Sequence, residues 1–171
     1  MDVAAKLADT LVRLDDQKIV FAESCTCGMA AALLGAIPGI SKYFCGSQVV
    51  YWDGSKIEWL DFDADYLVEV TSTSAEASQE LAIAVLKATP EATWSAAITG
   101  HLGPVTDGSA QDGVAYLCIA VRGVFNDEDA APEIFIRADE ELQLEASGRR
   151  SRQVEAAELL LSRLAECLQE L

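Results

Sequence analysis

Residues 19–28, Ile19-Val20-Phe21-Ala22-Glu23-Ser24-Cys25-Thr26-Cys27-Gly28, decide the fold of this chain. An apolar run comes first, small and polar residues follow, and an alanine-rich segment continues from there. This order predicts a strand, a loop and a helix. In such a loop the free backbone N–H groups at the helix N-terminus point toward the space beyond the carboxyl end of the strand. α/β proteins bind ligands at this position.

The same alternation of strand and helix patterns continues along the chain. Strands are predicted at about residues 18–22, 43–51, 94–98, 113–121 and 134–138. Predicted helices comprise one capped by Asp2, one at residues 28–35, one at 56–60, one from a capping box at Thr73 and Glu76 to Pro90, and a long last helix through residues 154–168.

Strands that alternate with helices predict a three-layer α/β/α fold with a mostly parallel sheet, as a single domain over residues 1–171. The acidic segment 123–132 lies between the last two predicted strands and predicts a hairpin connection. Because a hairpin joins antiparallel strands, the sheet is expected to be mixed.

Composition narrows the classes of partner. The chain has 171 residues and a formal net charge of −16, from 28 acidic and 12 basic residues. A field of this sign repels a phosphate backbone, so no nucleic-acid partner is expected. The sequence has no apolar stretch near the ~20 residues of a membrane span and no export signal. We therefore expect a soluble, cytoplasmic protein without a membrane partner.

The cysteines point to neither disulfides nor a metal. Their number, five, is odd, and they are scattered along a chain without an export signal. A metal site at Cys25 and Cys27 would need further thiol or imidazole ligands, and His101 is the one histidine. No metal ion is predicted.

Polar residues collect after the predicted strands and at the start of the last helix. These candidates are Ser24, Thr26, Tyr51, Lys56, Thr99, His101, Arg149, Arg150 and Arg152. A desolvated lysine can take the proton of a serine hydroxyl, so Ser24 with Lys56 suggests acyl transfer. Loop amides up to Gly28 could hold an oxyanion, and arginines beside a helix N-terminus suit a phosphate.

Structural interpretations of the same residues remain open at this point. Ser24 and Thr26 stand where helix caps stand, and capping is the commoner role for such residues. Lys56 alone could be a solvated lysine, and Tyr51 a strand aromatic. The arginines could be surface counterions, each worth under ~1 kcal/mol.

Several ordered motifs resemble the CinA C-terminal domain family over nearly the whole chain. They are Ala22-Glu23-Ser24-Cys25-Thr26, Ile37-Pro38-Gly39-Ile40-Ser41, Tyr51 with Lys56, Ile98-Thr99-Gly100 followed by Gly103-Pro104, and Gly148 with Arg150. Members of that family include amidases that hydrolyse nicotinamide mononucleotide to nicotinate mononucleotide and ammonia.

The resemblance implies a Ser–Lys amidase in which Ser24 attacks the carboxamide and Lys56 is the base. Tyr51 and Thr99 would position the reacting groups, and Arg150 matches the arginine of the family's Gly-Asp-Arg turn and would bind phosphate. Thr26, Gly28 and Gly100 match further substrate-contacting positions. The resemblance also implies a small-molecule nucleotide substrate, no metal or organic cofactor, and a homo-oligomer.

The chain departs from the family pattern at several of these motifs. Cys27 replaces a glycine, Trp52-Asp53 replaces Ser-Asn, and Arg149 replaces the aspartate of Gly-Asp-Arg. His101 stands where a small apolar residue is usual. These differences motivate a second hypothesis, a catalytically silent member that acts as a nucleotide-binding or regulatory module.

Overall fold

The computed structural model describes residues 2–104, 112–123 and 133–171. Five strands form one sheet: β1 (Ile19–Glu23), β2 (Phe44–Val49), β3 (Trp94–Gly100), β4 (Val114–Arg122) and β5 (Ile134–Gln143). The helices of the described residues are α1 (Val3–Leu14), α2 (Met29–Gly35), α3 (Asp53–Leu60), α4 (Ala64–Val70), α5 (Ala75–Lys87) and α6 (Arg149–Gln169), with a short 3-10 turn at Ile40–Lys42.

The sheet has the strand order β2-β1-β3-β4-β5 and is mixed, as predicted. β1 pairs in parallel with β2 and β3, whereas β4 pairs antiparallel with both β3 and β5. β4 therefore runs against the other strands. The hairpin predicted at residues 123–132 falls mostly outside the described residues, but the Gly123 N–H donates to the Glu133 carbonyl at 2.8 Å beside the antiparallel pair.

Helices cover both faces of the sheet, which confirms the three-layer prediction. α1, α2 and α6 pack on one face, and α5, with α3 and α4 beside it, packs on the other. The alternation along β1 shows the two faces: Phe21 belongs to the first core cluster, while Val20 and Ala22 belong to the second. All of β1 is buried, as expected of a central strand between two helical layers.

Two helix starts differ from the sequence predictions, and one helix was not predicted. α3 begins at Asp53, before the predicted start at Lys56. Ser74, rather than Thr73, caps α5, because its Oγ accepts from the Ala77 N–H at 3.1 Å. α4 was not predicted, since Leu67 is the one buried residue of this short helix and leaves no apolar periodicity to detect.

No helix in the described part of the chain combines the length and apolar character needed to cross a membrane.

Candidate active site

Three parallel strands end side by side and place the predicted residues at one edge of the sheet. Glu23, the last residue of β1, is in register with Val49 of β2 and Ile98 of β3. The Ser24 N–H donates to the Ile98 carbonyl at 3.0 Å, and the Val50 N–H donates to the Glu23 carbonyl at 2.9 Å. Ser24 and Thr99 directly follow this row and Tyr51 comes two residues after it, so all three lie at the same edge.

A buried glutamate organises the loop that carries Ser24. The Glu23 carboxylate accepts from the Ala30 N–H at 3.0 Å, the Ala31 N–H at 2.9 Å and the Ser47 hydroxyl at 3.0 Å. Glu23 is fully buried, and it binds the first turn of α2 in place of a conventional cap. The capping interpretation of the Ser24 and Thr26 side chains is therefore wrong, since Glu23 performs that role.

The hydroxyls of the loop have no structural partners in the described ranges. Ser24 is buried, at 7% exposure, and no hydrogen bond of its Oγ occurs among the described residues. Thr26 is fully buried and its Oγ1 is also unpartnered there. Because buried hydroxyls are nearly always hydrogen-bonded, the Thr26 hydroxyl is suited to bind a substrate.

The last two residues of the loop that carries Ser24 adopt the left-handed backbone conformation. Cys27 has φ 52° and Gly28 has φ 88°, immediately before α2 begins. Glycine adopts this region without penalty, whereas a residue with a Cβ is disfavoured by about 1–2 kcal/mol. The cysteine at position 27 is thus accommodated at a cost, and its side chain is exposed.

Lys56 is the fourth residue of α3, and its side chain is withdrawn from solvent. The side chain is 1% exposed, and Nζ donates to Asp53 Oδ1 at 2.8 Å. A buried ammonium needs a partner of opposite charge, and Asp53, itself half-exposed, supplies one. The solvated-lysine interpretation is wrong. Sequence reasoning did not foresee the Asp53 contact, although the i,i+3 spacing on a helix indicates that such a pair can form.

Arg149, rather than Arg150, contacts another predicted site residue, Tyr51. Arg149 Nη2 donates to the Tyr51 hydroxyl at 2.8 Å, and Nη1 donates to the Gly103 carbonyl at 3.0 Å. Arg150 is exposed and lines a shallow groove with Ser151 and Glu155 on another side of α6. Within the described ranges it makes no hydrogen bond to the predicted site, so its role stays a prediction.

Thr99 and Gly100 have structural roles at the end of β3. The Thr99 hydroxyl is buried and donates to the Ser72 carbonyl at 2.6 Å, which fixes the connection between α4 and α5. Gly100 has φ 151°, and a Cβ there would lie 2.5 Å from Ala115 Cα and 2.6 Å from the Val114 carbonyl oxygen. The glycine is therefore required by the close approach of β4, and its predicted contact with substrate stays a prediction.

The arrangement of these motifs agrees with one known family. The family model of the CinA C-terminal domain matches residues 1–146. The chain belongs to the CinA C-terminal domain family. The predicted family is thereby confirmed, and the motif of Gly148 with Arg150 lies beyond the matched residues.

Curated relatives of this CinA chain are longer proteins. It is 37% identical to a CinA-like protein of Cyanothece sp. over 103 residues, which cover 60% of this chain and 24% of the relative. It is 35% identical to a CinA-like protein of Myxococcus xanthus over 123 residues, which cover 71% of this chain and 28% of the relative. The matched part is thus about a quarter of those proteins.

Solved structures of CinA proteins share the fold over nearly the whole chain. The competence damage-inducible protein A of Klebsiella pneumoniae superposes with a TM-score of 0.83 at 22% identity, covering 98% of this chain and 95% of the other. The competence/damage inducible protein CihA of Agrobacterium tumefaciens gives 0.82 at 20% identity, covering 98% and 96%. At such identities the likeness establishes the fold.

A third arginine of this CinA domain fixes the start of α6. Arg152 Nη1 pairs with Asp112 Oδ1 at 2.9 Å and donates to the Leu102 carbonyl at 3.3 Å, while Nε donates to the Ala146 carbonyl at 3.1 Å. Arg152 therefore holds the two loops beside α6 in place.

In the described ranges, no group of three or more His, Cys, Asp or Glu side chains is placed to hold a metal ion.

Burial keeps the thiol next to Ser24 protonated. Desolvation raises the pKa of Cys25 to about 12, and Arg149 opposes this shift in part. A raised thiol pKa means that the reactive thiolate accumulates only in strongly alkaline solution, so about 10⁻⁴ of the thiol is ionised at pH 8. Cys25 is therefore unsuited to replace Ser24 as nucleophile at neutral pH.

We expect Cys25 to resist iodoacetamide at pH 8 in the folded protein, whereas the exposed Cys27 and Cys45 react. Mass spectrometry should find two labels on the wild type, one on Cys27→Ser and two on Cys25→Ser. A drop to one label in Cys25→Ser would contradict the burial of that thiol.

Proposed function

We propose that this chain is an amidohydrolase that converts nicotinamide mononucleotide and water into nicotinate mononucleotide and ammonia. Family membership and the motif resemblance support the substrate class. The observation that carries the chemistry is that Ser24 is buried directly after β1 and Lys56 is buried in the helix that follows the neighbouring strand β2. Serine and lysine can together perform acyl transfer without a histidine.

In the proposed reaction, Ser24 Oγ attacks the carboxamide carbon while its proton passes to the neutral Lys56 amine. Collapse of the tetrahedral intermediate breaks the C–N bond, and the protonated Lys56 gives its proton to the departing ammonia. Water then attacks the acyl-serine ester while Lys56 takes its proton, the bond from the acyl carbon to Ser24 Oγ breaks, Lys56 returns the proton to that oxygen, and nicotinate mononucleotide leaves.

The loop supplies a candidate donor for the developing oxyanion. The Cys27 and Met29 N–H groups donate to the Ser24 and Thr26 carbonyls at 3.1 Å each, so they are already engaged. The Gly28 N–H makes no backbone hydrogen bond within the described residues. We assign Gly28 as an oxyanion donor and the Thr26 hydroxyl as a substrate contact, because unengaged donors in a dry site stabilise a developing charge strongly.

The second candidate function is a nucleotide-binding module without turnover. The Asp53–Lys56 ion pair favours this second candidate. A lysine that acts as a general base must be a neutral amine, whereas an ion pair with a carboxylate stabilises the charged ammonium. The two candidates differ in one assay. Ammonia release by the wild type from nicotinamide mononucleotide supports the amidase, whereas calorimetric binding of that nucleotide without ammonia supports the module.

We expect the rate of ammonia release to rise with pH and to stay high in alkaline solution, because the neutral fraction of an amine grows with pH. The measurement is kcat across the pH range in which the protein stays folded, with the melting temperature recorded at each pH as a control. A rate that peaks in acid would contradict a lysine base and would point to a carboxylate.

A further inference from the structure

The side chain of Arg149 bridges two loops at the site. Its hydrogen bonds to the Tyr51 hydroxyl and the Gly103 carbonyl connect α6 to the segment before α3 and to the segment after β3. A guanidinium carries five N–H donors in a rigid plane. The described contacts use two of them, and the residue as a whole is exposed. The guanidinium is thus held in position while it retains donors for a ligand.

The face of α6 that carries Arg149 also contacts the loop that carries Ser24 and Thr26. Gln153 lies four residues further along the helix, and residues at this spacing share a face. Gln153 Nε2 donates to the Thr26 carbonyl at 2.9 Å, and Thr26 carries the buried hydroxyl that is unpartnered in the described residues. The positive charge of Arg149 also lowers the pKa of the Cys25 thiol, which opposes the rise that burial causes. Arg149 therefore faces the site from α6.

The surroundings of Arg150 are different. That side chain lies along a groove whose lining includes two carboxylates, Glu155 and Glu158. Carboxylates compete with an anionic ligand for a guanidinium and repel the ligand itself. On a chain with a net charge of −16, an anion is attracted only where positive charge prevails locally. The described partners of Arg149, by contrast, are a hydroxyl and a carbonyl oxygen, and no carboxylate of the described residues forms an ion pair with it.

We propose that Arg149 binds the phosphate of the nucleotide substrate and is a specificity-determining residue of this chain. The inference rests on the proposed function for the identity of the substrate. Arginine presents paired donors that match two phosphate oxygens, and the contacts with Tyr51 and Gly103 hold the guanidinium in position before the ligand arrives. Arg149 stands where the Gly-Asp-Arg motif of the family has its aspartate, and in this chain that position thus supplies the positive charge that binds the ligand.

The test compares nicotinamide mononucleotide with nicotinamide riboside, which lacks the phosphate. In Arg149→Gln the ratio of kcat/KM for the nucleotide to that for the riboside should fall about 10- to 100-fold, as loss of charge-assisted hydrogen bonds implies. Arg137→Gln removes the same charge from β5, where Arg137 pairs with Glu170, and should leave the ratio unchanged. Inorganic phosphate should inhibit the wild type more strongly than Arg149→Gln.

Two results would overturn the inference. An equal loss on both substrates in Arg149→Gln would show that Arg149 only positions Tyr51, and a selective loss in Arg150→Gln alone would assign the phosphate to Arg150. If the wild type releases no ammonia from either substrate, the proposed function fails. Calorimetric binding of the nucleotide and the riboside then tests Arg149 separately, with a weaker preference for the nucleotide in Arg149→Gln expected and an unchanged preference contradicting the inference.

Discussion

Replacing Ser24 with alanine should reduce ammonia release from nicotinamide mononucleotide at least about 10³-fold, because the attacking oxygen is removed. The fold should survive. The Ser24 hydroxyl has no partner among the described residues, and the contact that anchors this residue, from its N–H to the Ile98 carbonyl at 3.0 Å, involves backbone alone. The measurement is a coupled ammonia assay, with the melting temperature and circular dichroism of both proteins recorded beside it.

A buried serine of α5 provides the matched control. Ser78 is fully buried in α5, and its hydroxyl donates to the Ala75 carbonyl at 2.8 Å. Ser78→Ala should cost about 1 kcal/mol of stability or less and leave ammonia release unchanged. If Ser24→Ala retained wild-type activity, Ser24 would not be the nucleophile and the proposed mechanism would be wrong.

Replacing Gly100 with alanine should have the largest effect on stability. The new Cβ would lie 2.5 Å from Ala115 Cα and 2.6 Å from the Val114 carbonyl oxygen, at φ 151°. Neither backbone atom can move without separating β3 from β4, so we expect a loss of about 3 kcal/mol or more in the free energy of unfolding. For a chain of this length that corresponds to a fall of roughly 6–12 °C in melting temperature. Differential scanning calorimetry measures this directly.

Gly35 provides the comparison for that variant. It ends α2, and a Cβ there would meet no atom within 4 Å. Gly35→Ala should therefore leave the melting temperature unchanged or raise it slightly, since alanine loses less entropy than glycine on folding. Similar melting temperatures for the two variants would contradict the close approach of β3 and β4.

The layers and strands of the fold could be predicted because they follow from local patterns. Each central strand is an apolar run bounded by turn residues, and each long helix repeats apolar residues at helical spacing. The missed helix, Ala64–Val70, buries only Leu67. Its stability comes from its neighbours and from the Asp63 cap, whose side chain accepts from the Tyr66 N–H at 2.7 Å. No apolar period marks it in the sequence.

The site was predicted as a set of positions, but its contacts were not. The order of the motifs along the chain is enough to bring Ser24, Tyr51 and Thr99 to one edge. Whether Arg149 or Arg150 turns toward that edge depends on the helical phase of α6 relative to the sheet, and this is set by packing. The buried role of Glu23 likewise depends on α2 starting above it.

The length of α6 separates two tasks along a single helix. Its 21 residues span about 31 Å, and Leu160, Leu161, Leu164 and Leu168 are fully buried in the core. Arg149 and Arg150, by contrast, stand exposed in the first turn. The later turns thus anchor the helix in the core, whereas the proposed phosphate contact belongs to the first turn. If Arg149 binds the phosphate as proposed, a substitution in this first turn changes the ligand preference of this chain while the buried leucines keep the helix in its place.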